Sequence, residues 1–235
     1  STTADLGNLV GSNPYGTPTS FTAAVTAVDN SSANFEAVSN GTATTASFTP
    51  VPVPTTASIT GVDTVEGTSD VTFNVALSNV PKDGSTATAV ITVAGKDYNV
   101  AIGADGKGTL TVANPNGEDV YNDASDLTAT VKSVTGGGYS QVVTGAEGTA
   151  HIADTVATTT ASIDLAQHGN GVAATISLDH APQHDTQITY TVNGEEHTAV
   201  IKGGETSTTA DLGNLVGSNP YGTPTSLTAT VTSVN

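Results

Sequence analysis

The sequence predicts an all-β chain built of antiparallel sandwiches, and three observations carry that prediction. Apolar and polar residues alternate over short runs, clusters of Gly, Asn and Asp separate those runs, and the helical period is missing throughout. No stretch repeats apolar residues at i, i+3, i+4 and i+7, and the abundant Thr, Val and Gly are poor helix formers.

Taken in order, the middle of the chain supplies the clearest strands. A first is expected from about Ala57. Val71–Leu77 alternates with period two, which puts Phe73, Val75 and Leu77 on one face. Ala89–Val93 follows, then Ala94-Gly95 as a turn, then Tyr98–Ile102. Further strands are expected near Gly108–Val112, Leu127–Val134 and Gly148–Asp154, and Gly136-Gly137-Gly138 reads as a tight turn.

The chain also repeats itself, at two periods. Ser1–Ser20 recurs letter for letter as Ser207–Ser226, an offset of 206 residues. Within that period lies a diverged one. Thr55-Thr56-Ala57-Ser58-Ile59 returns as Thr159-Thr160-Ala161-Ser162-Ile163, 104 residues on. Val75–Pro81 matches Ile176–Pro182, Val93–Tyr98 matches Val192–His197, and Leu127–Val131 matches Leu227–Val231. Asn193-Gly194 in the second copy is the strongest short-range hairpin signal. A unit of about a hundred residues with short strands fits an immunoglobulin-like sandwich. Three domains are expected: 1–54 as the C-terminal half of one, 55–157 as a whole one, and 158–235 as one lacking its last strand. Such repeats are read as parts of a longer tandem, elongated array. Phe48-Thr49-Pro50-Val51-Pro52-Val53-Pro54 reads as a stiff, extended spacer, whereas its counterpart Ile152–Ala157 carries Asp154 and no proline.

Composition narrows the function. Five lysines and no arginine face 22 acids over 235 residues, for a formal charge of −17. That charge repels nucleic acid and anionic membrane surfaces, and no apolar run approaches the roughly 18 residues of a membrane span. Uncompensated carboxylates instead invite a divalent cation. The absence of Cys removes disulfides, thiolate chemistry and zinc–sulfur sites, leaving metal ions as the available staple.

Glu118-Asp119-Val120-Tyr121-Asn122-Asp123-Ala124-Ser125, then Leu127–Val131, Thr135-Gly136-Gly137 and Ala153-Asp154-Thr155, resembles the tandem extender repeats of giant bacterial RTX adhesins, of the LapA-like biofilm and ice-binding type. The resemblance is strong over 55–164 and reaches 1–54 and 165–235 through the internal repeat. It implies immunoglobulin-like sandwiches that bind Ca²⁺ and stiffen a stalk outside the cell, at the bacterial surface. The implied partners are neighbouring repeats of the same adhesin. Unpaired sheet edges in the half-domains lead us to expect head-to-tail strand complementation between copies.

With strands in immunoglobulin-like order, one end of the middle domain gathers Asp63, Glu66, Asp97, Glu118, Asp119, Asp123 and Asp126, and Asp154 leaves from the same end. Asp179, Asp185 and Glu205 are expected on the facing loops of the next domain. Ca²⁺ takes six to eight oxygens, so these acids are the candidate ligands. The bland alternative is a solvated acidic surface. Aligning Tyr121 with Tyr221 sets Ser218, Asn219, Thr223 and Ser226 where Glu118, Asp119, Asp123 and Asp126 stand, so the sister domain is expected to be acid-poor there.

Catalysis is not expected. His180 and His184 flank Pro182 and cannot form a helical zinc face. No Ser has a nucleophile-elbow context, no Lys follows the Gly run as in a P-loop, and a sugar-cleaving cleft would want more aromatics than six Tyr and four Phe. The expected role is a structural extender. The rival reading is an adhesive module that itself binds a glycan or a protein.

Overall fold

The computed structural model describes residues 1–235 apart from Ala33, Asn219, Pro220, Tyr221 and Thr223. Every regular element among the described residues is a strand. The chain divides into two compact units: Ser1–Glu118 with Asp123–Thr155, and Asp119–Asn122 with Val156–Asn235. No helix among the described residues is long and apolar enough to cross a membrane.

The first unit holds β1 (Ser12–Asn13), β2 (Thr19–Ala23), β3 (Thr44–Phe48), β4 (Val51–Pro52), β5 (Thr55–Val62), β6 (Thr64–Val65), β7 (Asp70–Leu77), β8 (Ala87–Val93), β9 (Lys96–Ile102), β10 (Lys107–Ala113), β11 (Ser125–Gly136), β12 (Val142–Thr144) and β13 (Gly148–Ala153). A four-stranded sheet, β10-β7-β5-β12, faces a five-stranded one, β6-β13-β11-β8-β9. Their inner faces meet in one core. Phe73 and Val75 of β7 are buried against Ala89 and Ile91 of β8 and Ile152 of β13, as the period-two pattern dictates. Burying a side chain the size of Phe73 stabilises the fold by roughly 1.5–3 kcal/mol.

The strand expected near Tyr98 lies beside β8, as β9, in the five-stranded sheet. Its two-residue link, Ala94-Gly95, is too short to cross the roughly 10 Å between facing sheets. Both residues of that turn have positive φ, 48° and 78°. Alanine is poorly suited to that conformation.

Two glycines set where the sandwich closes. A Cβ on Gly61 would lie 2.3 Å from the Thr149 carbonyl oxygen, and one on Gly148 would lie 2.6 Å from that of Ile59. Only glycine lets β5 and β13 cross so closely. The chain then turns from β5 into β6, which pairs in parallel with the end of β13 (Thr64 with Ile152, Val65 with Ala153). Pieces far apart in sequence thereby finish side by side.

The N-terminal segments are thinner. β2 and β3 form a two-stranded ribbon whose β3 residues are all exposed. Hydroxyl pairs cross it, Ser20 with Ser47 at 2.6 Å and Thr22 with Thr45 at 2.8 Å. Within the proline run, Val51–Pro52 is extended and lies parallel to Ser12–Asn13.

The second unit holds β14 (Ala161–His168), β15 (Gly171–Leu178), β16 (Thr186–Val192), β17 (Glu195–Ile201), β18 (Ser207–Asp211) and β19 (Ala229–Val234). They form two three-stranded sheets, β14-β15-β18 and β17-β16-β19. Ile176, Ile188, Tyr190 and Ile201 fill the core between them. Asn193 and Gly194 turn β16 into β17 with φ of 50° and 88°, the conformation a primed two-residue turn requires.

Candidate metal centre

The parallel pairing of β6 with β13 fixes the first two members of an acidic cluster. The Glu66 N–H donates to the Ala153 carbonyl at 2.9 Å, so Glu66 sits beside Asp154. Asp123, in the loop ahead of β11, is drawn in from the other side. Its N–H donates to Asp154 Oδ1 at 3.3 Å, and its carbonyl accepts from Asn116 Nδ2 at 2.9 Å. One carboxylate oxygen from each of Glu66, Asp123 and Asp154 lies within 4.8 Å of the other two. Two oxygens bound to one Ca²⁺ at about 2.4 Å can be no further apart than about 4.8 Å. The three acids therefore lie within the span that one ion could bridge, and all belong to the first unit.

Glu66 is the unusual member. The residue is only 2 % exposed. Its Oε1 accepts from the Thr155 N–H at 3.0 Å and lies 2.7 Å from the Thr155 hydroxyl. Its Oε2 is buried with no hydrogen-bond partner. The Thr155 hydroxyl, then its backbone N–H, hold the Glu66 carboxyl below its usual range, against the effect of burial. Asp123 adds a smaller hydrogen-bonding effect in the same direction. Glu66 is thus a buried carboxyl group held toward its charged form with Oε2 left without a hydrogen-bond partner, a condition that costs free energy unless something positive answers it.

Thr155 reaches a fourth acid. Its hydroxyl also lies 2.8 Å from Glu118 Oε1, and a hydroxyl has a single proton to share between the two carboxylates. Glu118 is held close by Gly67, whose N–H donates to the Asn116 carbonyl at 3.2 Å. Gly67 has φ of 72°, and a Cβ there would lie 2.8 Å from Glu118 Cβ. The geometry demands glycine twice over.

Most of the remaining sequence candidates have partners of their own. Asp63 accepts from the His151 N–H at 2.9 Å, and Asp126 pairs with the same residue's ring at 2.8 Å. Asp97 is held by Lys132 and Thr92. Asp119 belongs to the second unit and caps the Tyr121 N–H at 2.7 Å. In the same unit Asp179 caps the Thr160 N–H at 2.8 Å and pairs with His180. The Thr160 N–H, chiefly, keeps the Asp179 carboxyl below its ordinary value. Asp185 is lowered by Lys202 first and by the Gly203 N–H second. Glu205 is exposed. Asn219 and Thr223, the sister-domain counterparts of Asp119 and Asp123, lie outside the described residues.

Three contributors had no place among the expected ligands: Thr155, Asn116 and Gly67. Thr155 had a signal, since it directly follows Asp154 in the Ala153-Asp154-Thr155 stretch. The other two owe their roles to contacts between distant loops.

No protein-family model matches the chain, and no curated protein sequence matches it.

Proposed function

We propose that Glu66, Asp123 and Asp154 hold a calcium ion, and that the chain is a structural extender segment of a calcium-dependent bacterial surface adhesin. The observation that carries the metal reading is the buried, unpartnered Oε2 of Glu66 within a cluster of carboxylates. The donor set is all oxygen and rich in carboxylates, which suits Ca²⁺, whereas Mg²⁺ keeps several waters and takes one or two carboxylates. Glu118 is one hydroxyl away and is the fourth carboxylate available to complete the shell.

The metal would act on the chain's path. Asp154 sits at the end of β13, Glu66 just after β6, and Asp123 just ahead of β11. An ion shared by the three ties these segments together where the first unit's last strand ends. Holding that exit is what a load-bearing repeat outside the cell requires. The 206-residue repeat supports the structural reading, since a tandem array multiplies spacers rather than active sites.

Isothermal titration of metal-stripped chain with Ca²⁺ tests the site, with Glu66→Gln as the control. Heat from the native chain that is lost in the variant supports the reading. Identical isotherms for the two would overturn it. Small-angle scattering in Ca²⁺ and in chelator then tests the extender role, which requires the chain's flexibility to fall on metal binding.

A further inference from the structure

A loop of the sequence Asn13-Pro14-Tyr15-Gly16-Thr17 is seated on the first unit by contacts unlike those of the segment around it. Ser1–Leu9 is exposed, whereas Asn13–Gly16 is half-buried. The Tyr15 hydroxyl donates to the Val80 carbonyl at 2.9 Å. Its ring stacks on Tyr139, with centroids 6.0 Å apart and planes 26° from parallel. The Pro14 carbonyl accepts from the Ser140 N–H at 2.8 Å and from its hydroxyl at 2.9 Å. Lys82 Nζ donates to the Thr17 hydroxyl at 3.0 Å. Tyr139 is itself fixed, its hydroxyl donating to the Asn79 carbonyl at 2.9 Å.

The loop arrives preshaped. Asn13 Oδ1 accepts from the Tyr15 N–H at 2.9 Å, an Asx turn that aims the ring. The second unit contains the same device in other letters. Asp119 Oδ1 accepts from the Tyr121 N–H at 2.7 Å, and the Tyr121 hydroxyl donates to the Ala181 carbonyl at 2.6 Å. Val80 precedes Pro81 and Ala181 precedes Pro182, and the two turns align in the internal repeat. The acceptor is in both cases the carbonyl that leads into a proline.

We infer that the face made by Val80, Lys82, Tyr139 and Ser140 is a recognition site for an Asx-Pro-Tyr-Gly-Thr loop, and that its partner in solution is a second copy of this chain. The occupant is the segment Ser218–Thr223. It repeats Ser12–Thr17 letter for letter. In any one copy the face is held by the chain's own residues 13–17, so exchange between copies requires that loop to let go. None of the four face residues belongs to the acidic cluster, so the inference stands or falls independently of the metal.

The test uses the full chain with Tyr15→Ala, which vacates the face, labelled with ¹⁵N. A synthetic peptide of sequence Ser12–Ser20 is titrated in, in chelator and in Ca²⁺ alike. Saturable shifts confined to the amides of Val80, Lys82, Tyr139 and Ser140 are expected. A peptide carrying Tyr15→Phe should bind about fivefold more weakly, the loss of one neutral hydrogen bond. Sedimentation of the Tyr15→Ala chain should show concentration-dependent association that Tyr15→Ala/Tyr221→Ala abolishes. If Tyr15→Ala loses its dispersed spectrum, Tyr15→Phe in the chain serves instead, with a proportionally smaller response. Absence of saturable shifts, equal shifts with a scrambled peptide, or association unchanged by Tyr221→Ala would each overturn the inference.

Discussion

Replacing Glu66 by Gln separates a metal site from a merely acidic corner, because the two readings differ in sign. Gln keeps the Oε1 acceptor that Thr155 uses and removes the charge behind the unpartnered Oε2. Without metal, the variant removes one charge from a cluster of three carboxylates at the cost of two weakened hydrogen bonds from Thr155. Its melting temperature in chelator should stay within about 2 °C of the native chain, or rise. With metal the order reverses. A ligand bound only to the native state at about a hundred times its dissociation constant adds about 2.7 kcal/mol. Extracellular calcium modules reach that ratio at about 10 mM Ca²⁺ if the dissociation constant is about 0.1 mM. For a unit of about 150 residues, each kcal/mol moves the midpoint by about 2–4 °C, so the native chain should gain about 5–11 °C. Differential scanning calorimetry of both chains, in chelator and in Ca²⁺, reads all four values. A Glu66→Gln chain that keeps the full calcium increment would refute the assignment, as would a native chain with none.

Other expectations follow from single contacts. Gly67→Ala places a Cβ against Glu118 at positive φ and should cost about 1–3 kcal/mol in urea unfolding, with weaker calcium binding. Phe73→Ala empties the centre of the first core and should cost about 3–5 kcal/mol, read as a lower urea midpoint at unchanged slope. Ala94→Asn should stabilise by about 0.5–1 kcal/mol, because Ala94 is exposed at φ of 48° where its counterpart is Asn193. Asp97 is held below the ordinary carboxylate range by the Lys132 hydrogen bond first and the Thr92 hydroxyl second. Its contribution is therefore complete above that ordinary range and lost as pH falls through the lower folded value. Asp97→Asn should flatten the acid limb of stability measured by urea unfolding at successive pH values.

The strands were legible because their information is local. Phe73, Val75 and Leu77 declare a buried face by alternation alone, and β7 buries all three. Asn193-Gly194 declares its turn by backbone chemistry, and the structure builds it. The acidic centre was legible only as a pool of acids. Glu66, Asp123 and Asp154 were among eleven candidates, with nothing in their neighbours to set them apart as a trio. What unites them is the parallel register of β6 on β13 and the close crossing at Gly61 and Gly148. Register between segments that distant is a tertiary fact that no local pattern encodes. The burial of Glu66 belongs to the same class. A glutamate between Val65 and Gly67 reads as solvent-facing until the surrounding loops are in place.

The ribbon of β2 and β3 has a mechanical consequence. Two strands crossed by Ser–Ser and Thr–Thr hydroxyl pairs, with β3 wholly exposed, have little apolar burial to oppose opening, and an isolated two-stranded ribbon is marginal in water. Its amides should exchange with solvent far sooner than those of β7 or β8, which open only with the core. Under tension, or in the presence of a protease, this is where the first unit would give way. Extension would begin by parting this ribbon while the sandwich that follows it in the chain stays intact.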